Sequence, residues 1–184
     1  MPGLLAALLL VPAVATAGDI LAASVTHTGE RYDLAITARI DAPRDVVLHA
    51  ITDYANLAAI NPDIEASELL ETTAAGASTV RTIIRVCILV FCKQVVQLQR
   101  VTQPDAQTIE AVFLPEGSDF RSGLARWRLS SPTAETTELQ FNERFVPDFW
   151  VPPVIGPWLI ERKLVREVTE TAANIEALAG THRP

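Results

Sequence analysis

A chain of 184 residues, 49% of them apolar, has the length and composition for one globular domain with a sizeable core rather than a disordered polymer. A formal charge of -7, with the cations scattered singly, excludes the basic stripe of a nucleic-acid binder.

Residues 4–17 (LLAALLLVPAVATA) form an apolar run too short for a bilayer span, which needs about 20 residues. The run ends in the small-x-small pattern Ala15-Thr16-Ala17, so residues 1–17 read as a secretory signal peptide with Gly18 as the first mature residue. No Lys or Arg precedes it, and the bland alternative is a packed or disordered apolar N-terminus. Residues 18–31 read as an N-terminal segment ahead of a domain spanning 32–179. No later run approaches membrane length, so an exported protein in a periplasm-like compartment is expected.

Residues 32–42 alternate, with Leu34, Ile36, Ala38 and Ile40 on one face and Asp33, Ala35, Thr37 and Arg39 on the other, as in a half-buried strand. Pro43 suits a first helical turn and Asp41 a cap. The spacing of Val46, Val47, Ala50, Ile51, Tyr54, Leu57 and Ala58 predicts a helix over 44–60, with Asp53 as its breaking point and Asn61-Pro62 as its end. Six strands follow, at 65–73, 78–87, 92–103, 108–114, 124–131 and 137–146, separated by short turns that favour an antiparallel meander. A helix over 155–179 closes the chain, its stripe formed by Ile160, Leu164, Val168, Ala172, Ile175 and Leu178/Ala179, with Gly180 as a stop. One layer of twisted sheet and one long helix bury both stripes only if the helix lies on the concave face.

Cys87 and Cys92 bracket Ile88, Leu89, Val90 and Phe91, four apolar residues where a hairpin tip should be. A straight strand would hold the two Cα atoms roughly 16 Å apart, whereas a disulfide needs about 5.5 Å. A turn at 88–91 brings them opposite each other, and an oxidising compartment lets them pair. So small a ring contributes about 2 kcal/mol, and its main effect is to fix the shape of the tip. The segment is either a stapled apolar finger or a strand passing through a core. Two ligands do not fill a zinc shell, so the pair is not a metal site.

The stretches YDLAITARIDAPRDVV, DYANLAAINPDIEASELLE, GLARWRLSS followed by TTELQFNERFVPD, and PWLIERKLVREVTETAANIEALA resemble the START-like, Bet v 1-like (SRPBCC) superfamily. The resemblance lies with its polyketide cyclase/dehydrase and lipid-transport branch, which includes bacterial coenzyme Q-binding proteins. It covers residues 32–179 and implies an α+β helix-grip fold, a curved antiparallel sheet of about seven strands wrapped around a long C-terminal helix. The signal peptide and cysteine pair depart from the cytosolic and mitochondrial members, so their ligands are not carried over.

Alternate connections of a meander lie at one end of the sheet. The tip, the loop 115–123 and the link 147–157 should therefore form a rim holding Ile88, Leu89, Val90, Phe91, Phe120, Phe149, Trp150 and Trp158. Exposed, such a patch serves binding or membrane contact; packed on itself, it plugs the core. The resemblance implies a cavity behind the rim, lined by Ile36, Ile84, Val96, Leu98, Phe113, Trp127, Leu139, Phe141, Phe145, Leu164 and Val168, unless these residues fill a solid core. Such a pocket suits a lipid, isoprenoid or quinone-like ligand.

Glu143 breaks its stripe between Phe141 and Phe145. It either meets the cavity as an acid/base or ligand anchor, or turns to solvent or to Arg126 or Arg128. Arg81, Arg85 and Arg100 read as a solvated outer face. His27, His49 and His182 lie far apart, and no nucleophile, metal or cofactor signature is present. The leading expectation is an exported binding or transfer protein without a cofactor. The alternatives are a cyclase/aromatase-like enzyme using Glu143 or Tyr54, or a protein-interaction module.

Overall fold

The computed structural model describes residues 18–151 and 156–181. The expected leader at 1–17 and the Pro152-Pro153 link lie outside the described residues. Strands β1 (Asp19–Thr28) and β2 (Arg31–Ile40) form a hairpin, followed by helix α1 (Arg44–Thr52) and a single 3-10 turn, Leu57–Ala59. The six strands of the meander are β3 (Ile64–Thr72), β4 (Ser78–Ile88), β5 (Phe91–Asp105), β6 (Thr108–Phe113), β7 (Phe120–Ser130) and β8 (Thr137–Pro147). Helix α2 (Pro157–Thr181) comes last. All neighbours pair antiparallel in one sheet of order β1-β2-β8-β7-β6-β5-β4-β3, the helix-grip arrangement.

The sheet has eight strands instead of seven because residues 18–31 are part of it. A bulge between Ile20 and Ala22 shifts the register of β1. Its inward set is therefore Ile20, Ala23 and Val25, while Leu21 faces out, and no alternation of period two survives for a sequence to reveal. The first helix stops at Thr52, where Asp53 adopts ψ 71 and leaves the helical region. Asp41 does not cap it; its N–H and that of Gly18 both donate to Oε1 of Glu176, at 2.8 and 3.1 Å, tying the sheet's first strands to α2. At its other end α2 runs through Gly180 to Thr181.

The concave face carries the core. Ile40, Val47, Leu129 and Ile175 are fully buried where α1 meets α2. Phe113, Phe120 and Val95 centre a second cluster beneath β4–β7. Helix α2 leans on β1 and β2 and barely touches β4. The half of the sheet it leaves uncovered is where an interior space opens.

Candidate functional site

That space is a cavity of about 330 Å³ between α2, the segment 54–64 and the concave face of the sheet. Its wall is mainly apolar. Leu34 and Ile36 of β2, Ile84 and Val86 of β4, Val95 of β5, Trp127 of β7 and Phe141 and Phe145 of β8 face Ile160, Leu164 and Val168 of α2. The rings of Trp127 and Phe141 lie 5.1 Å apart, and Phe120 meets Phe145 edge-on at 5.3 Å.

The structure brings Ile84, Trp127, Phe141, Phe145, Leu164 and Val168 together at this wall. Three residues expected there, Val96, Leu98 and Phe113, are elsewhere. Leu98 points to the opposite face of β5, against the loop carrying Gly117, and Val96 shares its parity. The pairing of β4 with β5 sets Thr82 opposite Gln97 and Val80 opposite Gln99, so the odd positions of β5 face inward. A sequence reading prefers Val96 and Leu98 inside because it cannot foresee that two glutamines will face a hollow. Phe113 is buried but lies behind the wall, edge-on to Phe120 at 5.2 Å.

The polar side of the cavity was largely missed. Thr82, Gln97 and Gln99 form a stripe across β4 and β5. Facing it, Lys163 of α2 ion-pairs with Asp63 and reaches Oε2 of Glu167 at 3.6 Å. Glu167 Oε1 accepts from Nδ2 of Asn61 at 2.8 Å, and Oδ1 of Asn61 accepts the N–H of Asp63 at 2.9 Å. Only the i, i+4 spacing of Lys163 and Glu167 was visible in the sequence; Asn61 and Asp63 approach them by tertiary packing.

Glu143 lines the cavity. Its neighbours in the register are Leu34 and Ala125, and it has no hydrogen bond or ion pair among the described residues. Arg126 is taken by Glu110 instead. Burial away from water, reinforced by the charge of Glu167, pushes its carboxyl up to about 8. Tyr54 also lines the cavity; burial raises its phenol and a hydrogen bond to Gln103 partly offsets this.

The described part of the expected rim comes together around Asp119, Asp148 and Phe149. The loop between β6 and β7 is tied to β5 by Asp119, whose N–H donates to Val96 O at 2.8 Å and whose Oδ2 accepts from Val96 N at 2.7 Å. Asp148 N donates to Asp119 O, and the ammonium of Lys93 stands 5.0 Å from the Phe149 ring centre. Cys87 and Cys92 are disulfide-bonded with Cα atoms 4.1 Å apart. The turn is tighter than a four-residue loop, since Ile88 pairs with Phe91 and only Leu89 and Val90 turn the chain. Leu89 adopts φ 56, a left-handed conformation that favours glycine or asparagine. Leu89 is 69% exposed, Val90 88%, Trp150 73% and Trp158 67%, so these residues do not plug the core, whereas Phe120 is buried. Among the described residues no helix is long and apolar enough to cross a membrane, and no group of three His, Cys, Asp or Glu could hold a metal ion.

The fold has close counterparts. A START superfamily protein from Mycobacterium smegmatis matches with TM-score 0.65 and 18% identity over 82% of this chain and 99% of that one. The Zhui aromatase/cyclase from Streptomyces sp. R1128 matches with TM-score 0.64 and 19% identity over 82% and 94%. A STAR-related lipid transfer protein from Xanthomonas axonopodis matches with TM-score 0.59 and 17% identity over 86% and 98%. No curated protein matches the sequence. The profile of a family described as polyketide cyclase / dehydrase and lipid transport matches residues 31–180. A helix-grip sheet, a largely apolar hollow under its long helix and a profile match over nearly the whole chain lead to one assignment: the protein belongs to the polyketide cyclase / dehydrase and lipid transport family.

Proposed function

We propose that the protein is an exported carrier that holds a hydrophobic small molecule, lipid-, isoprenoid- or quinone-like, inside this cavity. The observation that carries the reading is the hollow itself, lined by Ile84, Trp127, Phe141, Phe145, Leu164 and Val168, which this reading takes as ligand contacts together with the exposed Trp150 and Trp158. Its volume is at the low end of the roughly 300–1,000 Å³ typical of small-molecule sites, which favours a single chain or compact ring system over a whole diacyl lipid. Organic extraction of the purified protein followed by mass spectrometry is expected to release a stoichiometric amphiphile. Repeated absence of one would overturn the reading. The intact mass from the same preparation, expressed from the full sequence, is expected to begin at Gly18; retention of residues 1–17 would remove the case for export.

The stapled tip supports contact with a bilayer during transfer. A turn selected for stability would carry glycine or asparagine where Leu89 stands, and an exposed leucine in a left-handed conformation is costly to keep. Leu89→Gly relieves the backbone and deletes the side chain together. It is expected to raise stability by about 1 kcal/mol while reducing co-sedimentation with phospholipid vesicles. Undiminished vesicle binding would refute the contact.

A second reading, favoured by Glu143 having no partner among the described residues, is acid–base catalysis on a polyketide-like ligand by Glu143 or Tyr54. Conversion of a bound poly-β-ketone analogue by the wild type, lost in Glu143→Gln, would support it; no conversion would leave a carrier.

A further inference from the structure

The carrier reading leaves the ligand's polar end unspecified, and the charges in the wall bear on it. Those lining the cavity are Asp63 ahead of β3, Arg85 of β4, Glu143 of β8, and Lys163 and Glu167 of α2, with the phenol of Tyr54 beside them. Arg85 is already paired with Glu65. Lys163 is shared between Asp63 and Glu167, so two carboxylates meet one ammonium there. Glu143 is left with no cation of its own among the described residues, in the field of Glu167. Among the described residues the wall therefore lacks a free positive group for an anionic head; a neutral head would find Thr82, Gln97 and Gln99, but only a cation would compensate the carboxylate of Glu143.

We propose that the ligand is a cationic amphiphile, an apolar body bearing a protonated amine, and that Glu143 receives its ammonium on the side of the cavity where Glu167 and Asp63 stand. The proposal rests on the carrier reading and deepens it. The proton balance is simple. In the empty protein at neutral pH Glu143 holds its proton, because burial and the Glu167 charge push its carboxyl up to about 8. Binding of R–NH3+ forms the carboxylate–ammonium pair and releases that one proton to solvent. Affinity should consequently rise about tenfold per pH unit below the carboxyl's own value, level off above it, and fall once the amine loses its proton near pH ~10.

The test is calorimetric titration of the full mature chain, stripped of lipid, with decylamine, decanol and decanoate below their micellar concentrations, from pH 6 to 9. Decylamine is expected to bind at least about tenfold more tightly than decanol at pH 7.5. It should also release close to one proton at pH 6.5, read as a dependence of the heat on the buffer's ionisation enthalpy. In Glu143→Gln the amine's advantage over decanol and its proton release should both disappear. Decanol or decanoate binding as well as the amine, or amine binding with no proton released at pH 6.5, would overturn the charge assignment and leave the carrier standing. Binding of none of the three would overturn both.

Discussion

Glu143→Gln is expected to stabilise the protein at alkaline pH and to flatten its stability profile. A carboxyl whose folded-state value is raised from 4.5 to about 8 binds more protons folded than unfolded between those limits. Stability then falls as pH rises through that window; it is undiminished below 4.5 and fully lost above 8. At about 1.36 kcal/mol per pH unit, the loss reaches up to about 5 kcal/mol, a large share of a domain's total stability. Glutamine keeps the shape and cannot ionise, so its denaturation midpoint should exceed that of wild type increasingly from pH 6 to pH 9. Urea unfolding at pH 5, 7 and 9 measures this. Parallel profiles for the two proteins would mean that Glu143 is solvated rather than enclosed. Saturating amine ligand should narrow the gap, because the cation stabilises the ionised carboxyl that the empty cavity penalises.

Gly123→Ala should be disruptive for a steric reason. A Cβ at position 123 would lie 2.3 Å from Cδ2, 2.4 Å from Cγ and 2.7 Å from Cε2 of Phe113. The Phe113 ring has little room to retreat, because it is buried and held edge-on by Phe120, which in turn is edge-on to Phe145 in the cavity wall. The substitution is expected to cost about 3 kcal/mol, at the upper end of overpacking effects, and to lower Tm by about 9 °C. Adding Phe113→Leu should restore part of that loss, a coupling that a double-mutant cycle reads directly. Two independent, additive losses would show that the ring does not press on Gly123.

Where side chains alternate without interruption, the sequence sufficed. Residues 31–40 form β2 with Tyr32, Leu34, Ile36, Ala38 and Ile40 buried. The stripe of α2 packs through Leu164, Ala172 and Ile175. The cysteine pair closes a hairpin because only a turn brings the two sulfurs together. The failures have local causes. The bulge at Ile20/Ala22 hid β1, whose pairing with β2 is formed at long range. On β5 the faces could not be told apart, since Val95 and Val96 are adjacent and the inward Gln97 and Gln99 look like solvent-facing residues until β4 and the hollow are in place.

The site shows the same division. Glu143 was recognisable in the chain as a carboxylate out of step with Phe141 and Phe145, because a two-residue period is a local property of any strand. What it faces was not. Periodicity assigns a residue to the inside, but whether the inside is packed or empty depends on where α2 settles, and it leans toward β1 and β2. The Asn61–Asp63–Lys163–Glu167 cluster spans about 100 residues of sequence and exists only after that settling. Pattern and turn chemistry thus determined the strands β2 to β8, the long helix and the staple. The hollow, its polar side and the uncompensated carboxylate were decided by the tertiary structure, since empty space and burial belong to several elements at once and to none of them singly.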